Sequence, residues 1–228
     1  MIAVIGAMSI ETNGLIAKLS DVKQYDVFGY KFTEGMIDGK EVVVCCCGIG
    51  KVASASATSI MISKFNPDCV INLGVAGGAK PLKQGDIVIS ENVVQHDYDA
   101  TADGLKIGQV HGFDSPFIEC DKDVAEELYQ VASSLNIYTV KGSIASGDMF
   151  VSSNEKSAWL VNTFGARAFD MESGAIAQVC KMMGKKFCSL RAISDNGDDS
   201  AIKSFYEFVT EASERSINII EKYVKTCN

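Results

Sequence analysis

The sequence has few of the features that mark membrane, secreted or nucleic-acid-binding proteins. No apolar run reaches the roughly 18 residues that a membrane-spanning helix needs. The first residues lack the positively charged region of a secretion signal. Acidic residues (29) outnumber basic ones (21), and the formal charge of -8 disfavours binding to a phosphate backbone. We therefore expect a cytoplasmic protein that contacts neither membrane nor nucleic acid.

Metal ligands and linkers are also scarce. The two histidines, His96 and His111, stand apart from the eight cysteines, and no CxxC motif occurs, so we expect no metal and no cofactor. Three cysteines are consecutive at 45–47 and the others lie in mostly apolar segments, which is typical of reduced thiols. The three prolines are dispersed and no low-complexity linker interrupts the chain, which predicts one domain over residues 1–228.

What the sequence does contain is an alternation of short β-branched runs with helical patterns. It predicts strands at 2–5, 42–47, 70–73, 87–89, 168–171 and 187–193, and helices at 11–19, 52–64, 121–135, 173–183 and 204–224. Most of these strands are apolar at consecutive positions, as expected for strands covered on both faces. The alternation predicts an α/β layer fold with a largely parallel sheet, in which ligands bind at the carboxyl ends of the strands.

Two glycine-rich segments follow predicted strands. The segment GIGK at 48–51 matches neither GxGxxG nor GxxxxGK[ST] in full, so tight packing of a helix on a strand explains it better than phosphate binding does. The segment GVAGG at 74–78, which includes Gly77, is the stronger signal. Its glycines permit positive φ and close approach of the backbone to a ligand, with a tight packing turn as the alternative.

Three carboxylates, Glu11, Glu172 and Asp195, each follow a predicted strand and precede a predicted helix. One such acid alone is typical of a helix cap. Together the three match the needs of cleaving a bond to an anomeric carbon, which uses an acid, a base for water and acceptors for the sugar hydroxyls. Candidates for the apolar walls around a nucleobase, each otherwise an ordinary core residue, are Phe150, Met171 and Phe205.

Six short motifs occur in a fixed order along the chain: IGAM (5–8) with Glu11, GIGKVA (48–53), AGG (76–78), SGD (146–148) with Phe150, ME (171–172) and RAISD (191–195). Over essentially the whole chain they resemble the motifs of the 5′-methylthioadenosine/S-adenosylhomocysteine nucleosidases, of the nucleoside phosphorylase superfamily. The resemblance implies a single-domain, three-layer α/β fold with a mixed central sheet flanked by helices. It also implies hydrolysis of the N-glycosidic bond of both nucleosides in methionine salvage and methyl-cycle recycling, by a homodimer.

The resemblance also implies roles for single residues. Glu11 would be the base that activates the attacking water, and Asp195 the acid that donates a proton toward N7 of the departing adenine. Glu172 would accept hydrogen bonds from the ribose hydroxyls. Arg191 and Ser194 would position Asp195 and the water network. The other residues expected to bind this adenine nucleoside are Met8, Ile49, Gly77, Phe150, Val151, Met171 and Phe205.

These roles agree with elementary chemistry. A purine leaves poorly as an anion, so an acid that protonates it is worth roughly 10²–10⁴ in rate. Asp195 must then keep a proton near neutral pH, and partial burial beside Ile193 and Phe205 is expected to raise its pKa. Glu11 must be ionised, and the nearby carboxylates would favour the positive charge that builds on the sugar.

Three alternatives stay open. A phosphorylase of the same superfamily places phosphate where the hydrolase places water, but residues 72–77 carry no arginine and Glu11 would repel phosphate, so hydrolysis is favoured. A hydrolase for adenine-bearing futalosine-type nucleosides is the second alternative. A non-catalytic nucleoside-binding protein on the same fold is the third, although a binder does not need both an acid and a base.

The chain departs from the nucleosidase pattern at several positions. Val75 stands where a serine commonly precedes AGG, and Cys46 and Cys47 replace a polar pair before GIG. Asp103 stands where these enzymes place an aromatic that reaches the partner subunit's 5′-alkylthio pocket, so we expect Leu105, Ile107 or Phe113 in its place or a more polar 5′ group. The pair HD at 96–97 lacks a placed nucleophile and is expected to be structural or interfacial.

Overall fold

The computed structural model describes residues 1–227 and contains ten strands and six α-helices. The strands are β1 (Ile2–Gly6), β2 (Ser20–Val27), β3 (Tyr30–Ile37), β4 (Lys40–Cys46), β5 (Cys69–Gly78), β6 (Ile87–Gln95), β7 (Phe117–Glu119), β8 (Thr139–Ser146), β9 (Ala166–Asp170) and β10 (Lys186–Asp195). The helices are α1 (Ser9–Ile16), α2 (Lys51–Phe65), α3 (Lys122–Ser133), α4 (Asn154–Phe164), α5 (Ser173–Met182) and α6 (Ala201–Thr226). Every strand and helix predicted from the sequence overlaps one of these. Among residues 1–227, no helix combines the length and apolarity that a membrane crossing requires.

All the strands belong to one mixed sheet with the order β10-β6-β8-β9-β5-β1-β4-β3-β2, and β7 pairs with β6. Strand β10 also pairs with β5, so that β5, β9, β8, β6 and β10 close into a ring. Five of the pairings are parallel and five are antiparallel. The mixed sheet flanked by helices confirms the α/β fold class that the resemblance implied.

The expectation of a largely parallel sheet is wrong, in part because the sequence patterns do not reveal β2, β3 and β7. They also miss β8, but this strand pairs in parallel with β6 and β9. Three of the antiparallel pairings involve β2, β3 or β7. Strand β2 has the polar sequence SDVKQYDV and is exposed along most of its length, so it lacks the apolar run by which strands are recognised. Helix α4 is hidden for a similar reason, since it buries only Leu160 and Phe164.

Helices cover both faces of the sheet and so produce three layers. Apolar residues of α2 and α5 pack on one face, and those of α1, α3 and α6 pack on the other. Successive residues of a strand alternate between the faces, as Val4 does against Ala3 and Ile5 in β1. Both faces of the sheet are covered, which explains why consecutive positions of a strand are apolar. Burial of each Val or Ile side chain contributes about 1.5–3 kcal/mol to the free energy of folding.

The segment GVAGG at 74–78 lies inside β5 and is not a loop. Gly74, Gly77 and Gly78 all have ordinary φ values, so the expected use of left-handed backbone is wrong there. Close approach is the reason for glycine instead, because a Cβ on Gly74 would collide with Arg191 Nη1 and Glu11 Oε1. The carboxyl end of β5 therefore admits charged side chains from β10 and α1 directly beside its backbone.

Candidate active site

A cavity of about 560 Å³ opens at the carboxyl ends of the strands, among the segments that follow β1, β4 and β8 and the last residues of β5, β9 and β10. This volume is within the range of small-molecule sites, roughly 300–1,000 Å³. Eleven of the twelve residues expected at the substrate line it, namely Met8, Glu11, Ile49, Gly77, Phe150, Val151, Met171, Glu172, Ser194, Asp195 and Phe205. The twelfth, Arg191, lies elsewhere.

Glu11 is buried in the first turn of α1 and is held by three backbone donors. Its Oε2 accepts hydrogen bonds from Ala7 N and Met8 N, both at 2.8 Å, and its Oε1 accepts one from Val75 N at 2.9 Å. Burial raises the pKa of Glu11, while the Arg191 charge and the three N–H groups oppose that rise. The carboxylate is thus fixed in orientation and kept more basic than an exposed glutamate.

Asp195 ends β10 with its carboxyl group buried. Its Oδ2 accepts a hydrogen bond from Ser194 Oγ at 2.9 Å, and its Oδ1 accepts one from Gly197 N at 2.9 Å. Gly77 is needed opposite, because a Cβ there would lie 3.0 Å from Asp195 Oδ1. Burial raises the pKa of Asp195 despite these two donors, which favours the protonated acid.

Glu172 occupies the N-cap position of α5 and is also buried. Its Oε1 accepts a hydrogen bond from Gly50 N at 3.0 Å, and its Oε2 lies 3.6 Å from Arg191 Nη2. Burial raises the pKa of Glu172 to about 7, against the opposing charge of Arg191. Sequence reasoning did not reveal the Gly50 donor, because the two residues are 122 positions apart.

Arg191 is fully buried beneath the cavity and does not line it. Its Nη2 lies 2.7 Å from Asp170 Oδ2 and hydrogen-bonds to Asn72 Oδ1, and its Nη1 donates to Val75 O at 3.4 Å. Among the hydrogen bonds of residues 1–227, none joins Arg191 to Asp195. The role of Arg191 in positioning Asp195 therefore stays a prediction that no direct hydrogen bond supports, and the guanidinium balances the charge of Asp170 and Glu172.

Aromatic and thioether side chains form the apolar walls. The rings of Phe150 and Phe205 meet edge to face with centroids 5.8 Å apart, so two of the expected wall residues are neighbours. Further lining residues that the sequence patterns did not single out are Met149, Ser152, Phe169, Asp170, Ile202 and Tyr206. None of these residues belongs to one of the six motifs. They reach the site only because they lie near strand ends or at the start of α6.

Comparison with known proteins places this geometry in a family. A family model described as the Phosphorylase superfamily matches residues 1–225. The 5′-methylthioadenosine/S-adenosylhomocysteine nucleosidase of Staphylococcus haemolyticus (strain JCSC1435) is 40% identical to the chain over 227 residues, covering 99% of each protein. The chain belongs to this nucleosidase family. The resemblance seen in the six motifs is thereby confirmed.

Solved structures of nucleosidases have the same fold. The Neisseria meningitidis nucleosidase in complex with methylthio-immucillin-A has a TM-score of 0.96 and 38% identity, with 99% of this chain and 98% of that chain covered. The futalosine hydrolase of Helicobacter pylori strain 26695 has a TM-score of 0.93 and 35% identity, with 98% and 96% covered.

The departures from the nucleosidase pattern lie at different distances from the cavity. Val75 lines it, and its N–H donates to Glu11. Cys47 is buried, and burial raises the pKa of its thiol, with the Glu172 charge as a further cause, whereas Cys46 is exposed. Asp103 lies in a short 3₁₀ turn, outside the cavity lining of this chain, with its Oδ2 3.4 Å from His111 Nε2.

Removing the Arg191 guanidinium should destabilise this nucleosidase. Arg191→Met leaves the carboxyl groups of Glu11, Asp170 and Glu172 buried without their cation, and breaking a buried ion pair in this way costs about 3–5 kcal/mol. A carboxyl whose pKa is higher in the folded than in the unfolded state binds protons on folding, so its ionisation opposes folding as the pH rises. Loss of Arg191 raises the pKa values of Glu11 and Glu172 further.

The loss of unfolding free energy relative to wild type should therefore be larger near about pH 8 than near about pH 5 in urea denaturation. The double variant Asp170→Asn with Arg191→Met should recover part of the loss, because it removes one uncompensated charge. An equal loss at both pH values would contradict this account of the buried charges.

Proposed function

We propose that the protein hydrolyses the N-glycosidic bond of 5′-methylthioadenosine and of S-adenosylhomocysteine, releasing adenine and the 5′-thioribose product. The observation that carries the proposal is the convergence of Glu11, Glu172 and Asp195 on one cavity, each buried and each bonded to a backbone N–H. Full-length similarity to proteins named as nucleosidases for these two compounds supports it.

The two catalytic steps in the proposal are a proton donation and an attack by water. Asp195 donates its proton to N7 of adenine while the bond between the purine and the anomeric carbon breaks and its electron pair moves onto the purine. Water then bonds through its oxygen to the anomeric carbon, and Glu11 takes one of its protons. Nucleoside and water give adenine and free sugar, after which Glu11 releases a proton to solvent and Asp195 regains one.

The remaining lining residues would bind the nucleoside. Glu172 accepts hydrogen bonds from the ribose hydroxyls, with Met171 packed beside the sugar. Phe150 and Phe205 stack near the base, and the backbone of Val151 reads its edge. The carboxylate charges beside the sugar stabilise the positive charge that develops on the ring, in a pocket where burial strengthens that interaction.

This arrangement of charges suits attack by water better than attack by phosphate. Arg191, the cation beside Glu11, Asp170 and Glu172, lies 2.7 Å from Asp170 and is committed to that pair. Glu11 adds a negative charge at the position where an attacking phosphate would approach. These two observations oppose the phosphorylase alternative within the superfamily.

The proposal extends to assembly and location. Ile49, Val52 and Met182 are 59%, 80% and 71% exposed, and such exposed apolar side chains, of which Ile49 lines the cavity, support a homodimer. All eight cysteines are free among the described residues, which supports a reducing cytoplasm. We propose that the chain acts there as one domain, in methionine salvage and methyl-cycle recycling, because it would return adenine and a thiosugar from spent nucleosides.

Release of free adenine, separated by chromatography, tests the proposed function. Purified protein in phosphate-free buffer should release adenine from 5′-methylthioadenosine and from S-adenosylhomocysteine. A parallel incubation with an adenine-bearing futalosine-type nucleoside measures the preference for the 5′ substituent. Calorimetric binding of these nucleosides with the substrate intact after overnight incubation would identify a binding protein and refute the enzyme.

A further inference from the structure

Three loops that follow β4, β6 and β8 meet beside the cavity through Lys51, Asp97 and Asp148, which we call the clasp. Asp97 Oδ1 lies 2.8 Å from Lys51 Nζ, and Asp97 Oδ2 accepts a hydrogen bond from Asp148 N at 2.9 Å. Asp148 Oδ1 accepts a hydrogen bond from Lys51 N at 2.8 Å, which closes a ring of three contacts. Strands β4 and β8 are separated in the sheet by β1, β5 and β9, so the clasp joins loops that strand pairing does not hold together.

The clasped loops approach so closely that glycine is required on both sides. Gly50 has a φ of +96°, and a Cβ on it would lie 2.9 Å from Asp148 Oδ1. A Cβ on Gly147 would lie 2.8 Å from Asp97 Cγ and 2.7 Å from His96 Nε2. Gly50 therefore serves the contact between the segments that follow β4 and β8, and Gly147 serves the contact between those that follow β8 and β6.

The clasped loops carry parts of the nucleoside site. Gly50, adjacent to Lys51, donates its N–H to Glu172 Oε1 at 3.0 Å. Phe150, two residues beyond Asp148, lines the cavity. A shift of the clasp would move the donor that orients Glu172 and the aromatic wall together.

The catalytic base and acid are held independently of the clasp. Glu11 takes its backbone hydrogen bonds from residues 7, 8 and 75, and Asp195 takes its hydrogen bonds from residues 194 and 197. These donors belong to β5, to β10 and to the segments that follow β1 and β10. Loss of the clasp should therefore leave the acid and the base in place.

Asp97 has the charge that the clasp needs. Partial burial raises its pKa, but the hydrogen bonds from Lys51 and from Asp148 N, together with the Lys51 charge, outweigh that effect and lower the pKa below its ordinary value. His96 beside it is buried, and within residues 1–227 its ring nitrogens have no hydrogen-bond partner. Asp97 thus orients a lysine and a loop, and the pair HD is not a catalytic dyad.

We propose that Asp97 is a positioning residue of this nucleosidase, which through Lys51 and Asp148 holds the Gly50 N–H against the ribose-binding carboxylate and the Phe150 loop against the base. The proposal rests on the proposed function, because it assigns ribose and base to the groups that the clasp holds. Since acid and base are held elsewhere, loss of the clasp should weaken nucleoside affinity more than it lowers the rate of the bound nucleoside.

Asp97→Ala and Lys51→Met each remove one side of the ion pair, and the double variant removes both. Each single variant should raise KM for 5′-methylthioadenosine and Kd for methylthio-immucillin-A about tenfold, the effect expected for one charge-assisted hydrogen bond, with kcat within about threefold of wild type. The double variant should show about the same rise as Asp97→Ala alone, because Asp97→Ala already removes the contact through which the Lys51 side chain acts. Asp26→Ala, the same charge change on exposed β2 at the far edge of the sheet, should change neither constant.

Unchanged KM and Kd in Asp97→Ala, a fall in kcat alone, or single effects that multiply in the double variant would overturn the proposal. A purely structural role would lower the melting temperature and the active fraction and leave Kd unchanged. If wild-type protein binds methylthio-immucillin-A but releases no adenine, the proposed function fails instead. The Kd values of the variants then still decide the role of Asp97.

Discussion

Asp195→Asn should keep nucleoside affinity and lose about 10²–10⁴-fold in kcat. Asparagine has nearly the same shape and can still accept the hydrogen bond from Ser194 Oγ through its carbonyl oxygen. Its amide carries no acidic proton for the departing adenine, so the purine would have to leave as an anion. Calorimetric titration with 5′-methylthioadenosine measures the retained affinity, and chromatography of free adenine measures the lost turnover.

The pH dependence should change along with the rate. Burial raises the pKa of Asp195, which keeps the carboxyl protonated further into the neutral range than an exposed aspartate. Wild-type kcat should fall on the alkaline side as Asp195 loses this proton. The residual rate of Asp195→Asn should lack that alkaline limb, because the amide does not titrate.

Asp199→Asn is the matched control for the acid. Asp199 is exposed four residues further along the chain, where it accepts a hydrogen bond from Asn154. The same change of carboxylate to amide there should leave kcat at the wild-type value. A near-normal kcat in Asp195→Asn would show that another group protonates the purine.

Glu11→Gln should remove nearly all hydrolysis, with kcat falling by about 10²–10⁴-fold. An amide cannot take a proton from water. In wild type, Ala7 N and Met8 N donate to one carboxylate oxygen and Val75 N donates to the other. The NH₂ group of glutamine would replace one of these oxygens and would then face N–H groups that it cannot accept from. Kd for methylthio-immucillin-A, measured alongside the rate, separates the loss of the base from this disturbance of the site.

The acidic limb of the pH–rate profile provides a second test of Glu11 as the base. Since burial raises its pKa, kcat/KM of the wild type should rise with pH at values above the ordinary glutamate pKa of about 4.3. Glu11→Asp keeps a carboxylate and should retain more activity than Glu11→Gln. Glu41→Gln, on an exposed residue of β4, should behave as wild type. Hydrolysis by Glu11→Gln at the wild-type rate would rule out Glu11 as the base.

The sequence patterns revealed those strands and helices whose burial produces a recognisable series of apolar residues. Strand β1 is covered on both faces, so its sequence is a continuous apolar run. The exposed strand β2 and the mostly exposed helix α4 have mixed sequences, because no face of them is fully dry. Predicting the antiparallel half of the sheet would have required pairing information that apolar runs do not carry.

The residues of the site, too, could be predicted from the sequence only in part. Glu11, Glu172 and Asp195 could be selected because each lies where a strand ends, and such ends converge in an α/β sheet. Contacts between distant segments, such as that of Arg191 with Asp170 or of Gly50 with Glu172, depend on how the strands and loops are placed against each other. The position of Arg191 in a motif indicated importance, and only the structure shows that its partners are Asp170 and Glu172 in the lining of the cavity.

Phosphate dependence tests the central claim most directly. Wild-type protein is incubated with 5′-methylthioadenosine in buffer without phosphate and in buffer with phosphate, and both products are identified by chromatography and mass. The account predicts adenine release at the same rate in both buffers, with a sugar product that carries a hydroxyl from water and no phosphate. Adenine release only in the presence of phosphate, with a sugar 1-phosphate as the second product, would contradict it.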